Sequence, residues 1–142
     1  MPNQALVKDW MASKVVTITP YTTLTEAHRL MTEYNIRRLP IVESKKLVGI
    51  VTRGDIRGAE PSAATSLSIW ELNYILSRLR IKDIMTKDPI TVHPDTTIEE
   101  AAKLMLEKKV SGLPVVDEND NICGIITESD IFRLVVKTWH QD

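Results

Sequence analysis

The chain has 142 residues, of which 43% are hydrophobic and 26% are charged, and its formal net charge is −1. This length allows one compact domain or two very small ones, and the composition argues against disorder. The balanced charge argues against a general nucleic-acid-binding role, which needs a basic face. No apolar run approaches the ~20 residues of a membrane helix, and "MPNQALVKDW" lacks a secretory signal pattern, so we expect a cytoplasmic protein.

The chain repeats itself. With a shift of 74, residues 7–44 fall on residues 81–118 and agree at 15 of 38 positions. With a shift of 75, residues 47–58 fall on residues 122–133 and agree at 5 of 12 positions, so 20 of 50 aligned positions are identical. Two blocks that stay in register over this length indicate a duplication.

Each copy begins with a short predicted strand, "VVTIT" or "PITVH", that ends at a proline. An amphipathic helix follows, and the pairs Thr23-x-x-Glu26 and Thr97-x-x-Glu100 are capping boxes that start it. Its predicted buried face has helical spacing in both copies. The face consists of Leu24, Ala27, Leu30, Met31 and Tyr34 in copy one, and of Ile98, Ala101, Leu104 and Met105 in copy two.

Two strands follow the helix in each copy, "LPIVE" and "KLVGIV" in the first, "LPVVD" and "NICGII" in the second. The short polar links "SKK" and "ENDN" predict hairpin turns. A second helix begins near a Thr-x-x-Asp, and in copy two it carries Ile131, Leu134, Val135 and Trp139. We therefore predict an α+β fold of two β-α-β-β-α repeats packed about a pseudo-twofold axis.

A linker separates the copies. "AEPSAATS" indicates a loop, and "SIWELNYILSRL" indicates a helix that Ser68 caps, with an apolar stripe of Leu72, Ile75, Leu76 and Leu79. Trp70 and Tyr74 have two interpretations: they close the core, or they form a surface for a partner. The predicted domains are residues 1–58 and 81–142, with a linker over residues 59–80.

The pairs Thr52-x-x-Asp55 and Thr127-x-x-Asp130 also have two interpretations. Each fits a capping box with aspartate in place of glutamate, which needs no ligand. Each also lies at a helix N-terminus, which suits a phosphate, and an aspartate there is an acceptor for the hydroxyls of a ribose. The duplication supplies two such turns at equivalent places, which favours a pair of ligand clefts.

Two copies of "KD-x-M…T-x-x-P-x-TT-x-x-EA…LM…LP-x-V…G-I-x-T-x-x-D" resemble tandem cystathionine-β-synthase (CBS) domains, the pair called a Bateman module. The resemblance covers residues 7–57 and 81–133. It implies a regulatory sensor of an adenosine ligand: AMP, ADP, ATP or, in some members, S-adenosylmethionine.

The resemblance also implies roles for particular residues. The aspartates, Asp55 and Asp130, hold the ribose hydroxyls, and Thr52 and Thr127 lie by the ribose and phosphate. The adenine lies between the first strand of one repeat and the Leu-Pro region, and each cleft borrows the first strand of the other repeat. The residues implied for these walls are Val15, Val16, Thr17, Leu39 and Pro40 in copy one, and Pro89, Ile90, Thr91, Leu113 and Pro114 in copy two.

The two copies depart from the family pattern in different ways. Before Leu-Pro, where the family often has basic residues for phosphate, copy one has Arg37 and Arg38 but copy two has Ser111 and Gly112. Before the aspartate, copy two has the hydroxyl of Ser129 but copy one has Gly54. These differences predict that the Asp130 cleft, completed by Arg37 and Arg38, binds more tightly than the Asp55 cleft.

The main competing class is an enzyme, but the chain has none of the common catalytic or phosphate-loop motifs. We expect no enzyme, no metal and no cofactor, because His28, His93 and His140 lack ligand spacing and Cys123 stands alone in an apolar run. A third class is an interaction module with empty clefts. We expect a homodimer, because the second helices and Trp139 leave an apolar face uncovered.

Overall fold

The computed structural model describes residues 5–59 and 68–140. In chain order it has helix α1 (Val7–Trp10), helix α2 (Leu24–Glu33), strands β1 (Arg38–Glu43) and β2 (Lys46–Thr52), helix α3 (Arg53–Ala59), helix α4 (Ile69–Arg78), a 3₁₀ turn (Ile81–Asp83), strand β3 (Thr86–Lys87), helix α5 (Ile98–Lys108), strands β4 (Gly112–Val116) and β5 (Ile122–Thr127), and helix α6 (Glu128–His140). The predicted α+β class is confirmed.

The helices begin where the sequence places their caps. The hydroxyls of Thr23 and Thr97 accept the backbone N–H of Glu26 and Glu100, each at 3.1 Å, and the Ser68 hydroxyl accepts that of Glu71 at 3.2 Å. Each bond satisfies one donor that a helix start leaves without a partner. The three predicted capping positions are thus occupied as expected.

The predicted first strands are wrong in extent. Ile18 forms a single parallel bridge with Ile41, and Val92 forms one with Val115, but neither segment is an extended strand. Ile18 donates to the Pro40 carbonyl at 3.1 Å and accepts from Val42 at 2.8 Å, and Val92 makes the equivalent pair of bonds. A ladder of one residue is what remains, because each copy turns at Pro20 or Pro94 shortly afterwards.

The chain divides into two compact units, which do not coincide with the copies of the repeat. Among the described residues, one unit contains residues 5–15 and 90–140, and the other contains residues 16–59 and 68–89. The segment that leads into copy one therefore packs with copy two: Val7 donates to the Thr96 carbonyl at 2.8 Å, and Ala12 pairs with Ile125 of β5. Likewise β3, which leads into copy two, pairs with β2 of copy one.

Each unit has its own core. The core with copy two contains Val7, Val92, Ile98, Ala101, Met105, Leu113, Val115, Ile126 and Leu134. The core with copy one contains Ile18, Leu24, Ala27, Met31, Leu39, Ile41, Val51, Ile56 and Ile81. Val7 and Ile81 hold equivalent positions in the repeat, and each is fully buried in the unit of the other copy.

Three aromatic side chains differ from their predicted burial. Tyr34 lies just beyond the end of α2 and is 54% exposed, so it does not belong to the buried face. Trp70 is 80% exposed and Tyr74 is 59% exposed on α4, so the interpretation that they close the core is wrong. The half-buried Leu76 of α4 instead lines a cavity with residues of α2, such as Leu24 and Thr32.

Candidate functional site

The turn from β2 into α3 contains the first Thr-Asp pair. The backbone N–H of Thr52 donates to Oδ2 of Asp55 at 2.9 Å, and the backbone N–H of Asp55 donates to the hydroxyl of Thr52 at 3.1 Å. These reciprocal bonds are a capping box. Within residues 5–59 and 68–140, Oδ1 of the half-buried Asp55 has no donor. One carboxylate oxygen of this turn is therefore available to a ligand.

The turn from β5 into α6 contains the second pair and holds its carboxylate more fully. Oδ2 of Asp130 accepts the backbone N–H of Thr127 at 2.8 Å and its hydroxyl at 3.2 Å. Oδ1 accepts a hydrogen bond from the guanidinium of Arg133, one turn further along the helix. Asp130 is only 3% exposed. A buried carboxylate requires such partners, so both of its oxygens are satisfied within the turn.

Each turn is held against the strand that carries Leu-Pro in the same copy. The backbone N–H of Arg53 donates to the Arg37 carbonyl at 2.8 Å, and that of Glu128 donates to the Ser111 carbonyl at 3.0 Å. The structure thus brings the Arg37 and Thr52 segments together in one unit, and the Ser111 and Thr127 segments together in the other.

The other predicted site residues are divided between the units. The unit with copy two contains Val15, Ile90, Thr91, Pro114 and Ser129, and the unit with copy one contains Val16, Thr17, Arg38 and Pro40. Pro40 and Pro114 are buried, whereas Thr17, Ile90 and Ser129 are exposed. The grouping of residues from both copies around one ligand stays a prediction.

One residue of these turns, Arg133, was not singled out by the sequence analysis. The signal was present, because the repeat alignment places Arg133 opposite Gly58, three residues after the respective aspartates. In copy one, Arg53 and Arg57 line a cavity of about 410 Å³ between α2 and α3, together with His28 and Asn35. Arg53 also donates to the Ile36 carbonyl at 3.3 Å.

His93 and Cys123 have surroundings that fit a role in the fold. Nε2 of His93 lies 2.9 Å from a carboxylate oxygen of Glu118, and Nδ1 accepts the backbone N–H of Asp95 at 3.1 Å. The pKa of Glu118 is lowered by a backbone hydrogen bond and by His93. Burial raises the pKa of the Cys123 thiol above its usual range.

The described residues contain neither a candidate metal centre nor a candidate membrane-spanning helix. No group of three or more His, Cys, Asp or Glu side chains in residues 5–59 and 68–140 is placed to hold a metal ion. In the same part of the chain, no helix combines the length and apolar composition needed to cross a membrane.

The sequence profile of the CBS domain family matches residues 7–62 and 81–137. These two ranges contain the repeat, both Thr-Asp turns and most of each core. The chain therefore belongs to the CBS domain family and contains a tandem pair of these domains.

Curated relatives place this pair in different protein contexts. A CBS domain-containing protein of Dictyostelium discoideum is 34% identical over 135 residues, which cover 94% of this chain and 93% of that protein. The inosine-5′-monophosphate dehydrogenase of Korarchaeum cryptofilum is 43% identical over 118 residues, 83% of this chain. The chain spans only 22% of that enzyme's length.

Solved structures share the fold of the whole pair. The CBS domain pair of protein MJ0100, in complex with 5′-methylthioadenosine and S-adenosyl-L-methionine, has a TM-score of 0.80 and 33% identity, covering 96% of this chain and 99% of that one. CBSX2 of Arabidopsis thaliana in complex with AMP has a TM-score of 0.79 and 28% identity, covering 94% of this chain and 98% of that one.

Proposed function

We propose that the protein is a regulatory module that senses an adenosine ligand through its two Thr-Asp turns. The observation that carries the proposal is the repeated turn, in which a half-buried or buried aspartate follows the last strand of each copy. Two structures of the same fold bind AMP in one case, and 5′-methylthioadenosine with S-adenosyl-L-methionine in the other. All three molecules contain adenine on a ribose with free 2′- and 3′-hydroxyls, and they differ at the 5′ position, so the adenine and the ribose diol are the shared chemistry.

In the proposed complex the aspartates accept the ribose hydroxyls. The capping boxes do not compete with this role at Asp55, because the cap uses Oδ2 and leaves Oδ1 available. Thr52, Thr127 and Ser129 lie beside the ribose and phosphate. Arg37 and Arg38 supply positive charge, which strengthens hydrogen bonds to phosphate oxygens.

The adenine is proposed to lie against short apolar and hydroxyl side chains near the start of each copy and near Leu-Pro. In this arrangement the cleft of Asp130 takes its wall from copy one, and the cleft of Asp55 takes its wall from copy two. The residues proposed for these walls are Val15, Val16, Thr17, Pro40, Ile90, Thr91, Ser111 and Pro114.

We further propose that the module regulates another protein and has no catalytic activity of its own. Enzymes among its relatives, such as inosine-5′-monophosphate dehydrogenase, match this chain over about a quarter of their length or less. The part they share with it is the CBS pair, so their reactions do not transfer to this chain. A homodimer and a cytoplasmic location complete the proposal.

A second candidate function is an interaction module whose clefts stay empty. The observation that favours it is the number of large apolar side chains on helix surfaces, such as Trp70 at 80% and Trp139 at 75% exposure. Patches of this kind mark contacts between proteins. The two functions differ in whether the clefts bind small molecules.

Mass spectrometry of small molecules released from the purified protein separates these functions. A sensor that binds tightly is expected to retain an adenine-containing ligand in stoichiometric amount, and Asp55→Ala plus Asp130→Ala in one chain should release it. Purified protein that carries no adenine-containing molecule and gains none on dialysis against AMP, ATP or S-adenosylmethionine would support the interaction module instead.

A further inference from the structure

The two Thr-Asp turns differ at the residue that follows the aspartate by three positions. In copy two this residue is Arg133, whose guanidinium donates to Oδ1 of Asp130. In copy one the repeat places Gly58 at the same position, and it brings no side chain to Asp55. The difference lies on the second turn of α6 and α3, one turn beyond the aspartates, where a side chain can reach the carboxylate.

The contact with Arg133 reduces the number of carboxylate acceptor positions that Asp130 offers to ribose hydroxyls. At Asp130 both carboxylate oxygens already accept hydrogen bonds, from Thr127 and from Arg133. Oδ2 has two donors and Oδ1 has one, so about one acceptor position of the carboxylate remains. Both hydroxyls of a ribose can donate only after one of these donors leaves, and the guanidinium of Arg133 is the only donor to Oδ1 in the described residues. At Asp55 the only donor to the carboxylate in residues 5–59 and 68–140 is the backbone N–H of Thr52, so no cation has to leave.

The fate of the displaced guanidinium depends on the charge of the ligand. The side chain of Arg133 is 65% exposed, whereas that of Asp130 is 5% exposed, so the arginine is the partner that can move. An anionic ligand offers the displaced guanidinium phosphate oxygens, to which arginine forms paired, charge-assisted hydrogen bonds. A neutral adenosine thioether offers no such partner, and the lost pairing with Asp130 is not recovered.

We propose that Arg133 makes the Asp130 turn selective for phosphate-bearing adenosine ligands, while the Asp55 turn, with Gly58, accepts neutral ones. This inference rests on the proposed function. Neither Arg53 nor Arg57 replaces Arg133 at Asp55, because Arg53 donates to the Ile36 carbonyl and lines the α2–α3 cavity together with Arg57. The proposed contribution of Arg133 thus comes from one position in the repeat and adds to the charge that Arg37 and Arg38 supply.

Calorimetry measures the affinities for AMP and for 5′-methylthioadenosine. The chains used carry Asp55→Ala or Asp130→Ala, so that each retains only one of the two aspartates. In an Asp55→Ala background, Arg133→Gln should lower the ratio of AMP affinity to methylthioadenosine affinity by about tenfold or more, since the charged partner of the phosphate is removed. In an Asp130→Ala background, Gly58→Arg should raise this ratio. A Cβ at Gly58 meets no heavy atom within 4 Å, so the structure has room for this substitution.

Lys137→Gln is the matched control for the loss of one positive charge on α6. Its amino group lies over the ring of Trp10, 5.6 Å from the ring centre, and we expect the affinity ratio to stay unchanged. Equal changes in Lys137→Gln and Arg133→Gln, or a ratio that moves less than about threefold in both Arg133→Gln and Gly58→Arg, would overturn the inference. If the unmodified chain binds neither AMP nor 5′-methylthioadenosine, the inference fails, and if it also binds neither ATP nor S-adenosylmethionine, the proposed function fails as well.

Discussion

The aspartates of the two turns show how one residue can serve both folding and recognition. The sequence offered a cap and a ligand site as alternatives for Thr52-Asp55 and Thr127-Asp130. The structure contains the full reciprocal cap in copy one, whereas in copy two the Asp130 carboxylate accepts both the backbone N–H and the hydroxyl of Thr127. A cap uses one carboxylate oxygen as acceptor, and the second oxygen can accept hydrogen bonds from the hydroxyls of a ribose. The two roles are therefore compatible at Asp55, and at Asp130 they meet the additional contact with Arg133.

The two roles make separate predictions for alanine substitutions. Loss of the cap in Asp130→Ala should lower the free energy of unfolding by about 1 kcal/mol. Loss of the hydrogen bonds to the ribose should weaken AMP binding roughly ten- to hundredfold, since a hydrogen bond to a charged group contributes about 1.5–3 kcal/mol. Thermal melts and calorimetry measure the two effects on the same preparation.

Thr97→Ala is the control for this pair of measurements. It removes another side-chain cap of a helix start, because the Thr97 hydroxyl accepts the N–H of Glu100 at 3.1 Å at the start of α5. We expect a similar loss of stability with unchanged AMP binding. If Asp130→Ala behaves like Thr97→Ala in both measurements, the aspartate is only a cap.

At the scale of the elements, local pattern predicted the helices well and the first strands badly. Helices α2 and α5 carry their own signals, which are a capping box and apolar residues at helical spacing. The segments "VVTIT" and "PITVH" have strand composition, but whether such a segment pairs depends on partners distant in sequence. In these two segments only Ile18 and Val92 pair with a strand, and each forms a single bridge.

The exchange of the leading segments was also invisible to local pattern. The repeat alignment equates Val7 with Ile81 but does not say which copy either residue packs with. Two glycines show which copy each leading segment packs with. A Cβ at Gly124 would lie 2.6 Å from the Ala12 carbonyl oxygen, and a Cβ at Gly49 would lie 2.9 Å from the Thr86 carbonyl oxygen. The glycine of each Gly-x-x-Thr-x-x-Asp motif thus admits the leading segment of the other copy.

This close approach predicts opposite effects for two glycine substitutions. Gly124→Ala should lower the free energy of unfolding by about 1–3 kcal/mol, because backbone atoms must move to admit the methyl group. Gly58→Ala, in a helix with open space around the Cβ, should raise it by about 0.4–1 kcal/mol. Urea denaturation measures both, and a Gly124→Ala chain as stable as the parent would contradict the packing of residues 11–12 against β5.

At the scale of the whole molecule, the apolar surface of α6 bears on assembly. Phe132, Val135, Val136 and Trp139 recur at helical spacing and are 44–75% exposed, whereas Leu134 on the other side of the helix is buried. A stripe of this kind opposite the buried side is expected to pack against another surface. The homodimer proposed above gives it a partner with the same composition.

Light scattering tests the homodimer directly. The unmodified chain should have twice the mass of one 16.1 kDa chain at micromolar concentration. Phe132→Glu should weaken the dimer at least about tenfold, because a buried aromatic side chain contributes roughly 1.5–3 kcal/mol. Leu106→Glu, which changes an exposed apolar side chain of α5, serves as the control, and a single-chain mass for the unmodified protein would contradict the proposal.

The proposed sensor role of the whole molecule depends most on whether the pair of CBS domains binds adenosine ligands at all. Thermal melting of the unmodified chain with AMP, 5′-methylthioadenosine or S-adenosylmethionine measures this, with GMP as the control for nucleotide charge. A ligand at a hundred times its dissociation constant stabilises the fold by about 2.7 kcal/mol, which corresponds to roughly 5–10 °C for a chain of this size. We predict a shift of this order with at least one adenosine ligand and none with GMP. Equal melting temperatures with and without every adenosine ligand, at millimolar concentration, would contradict the account.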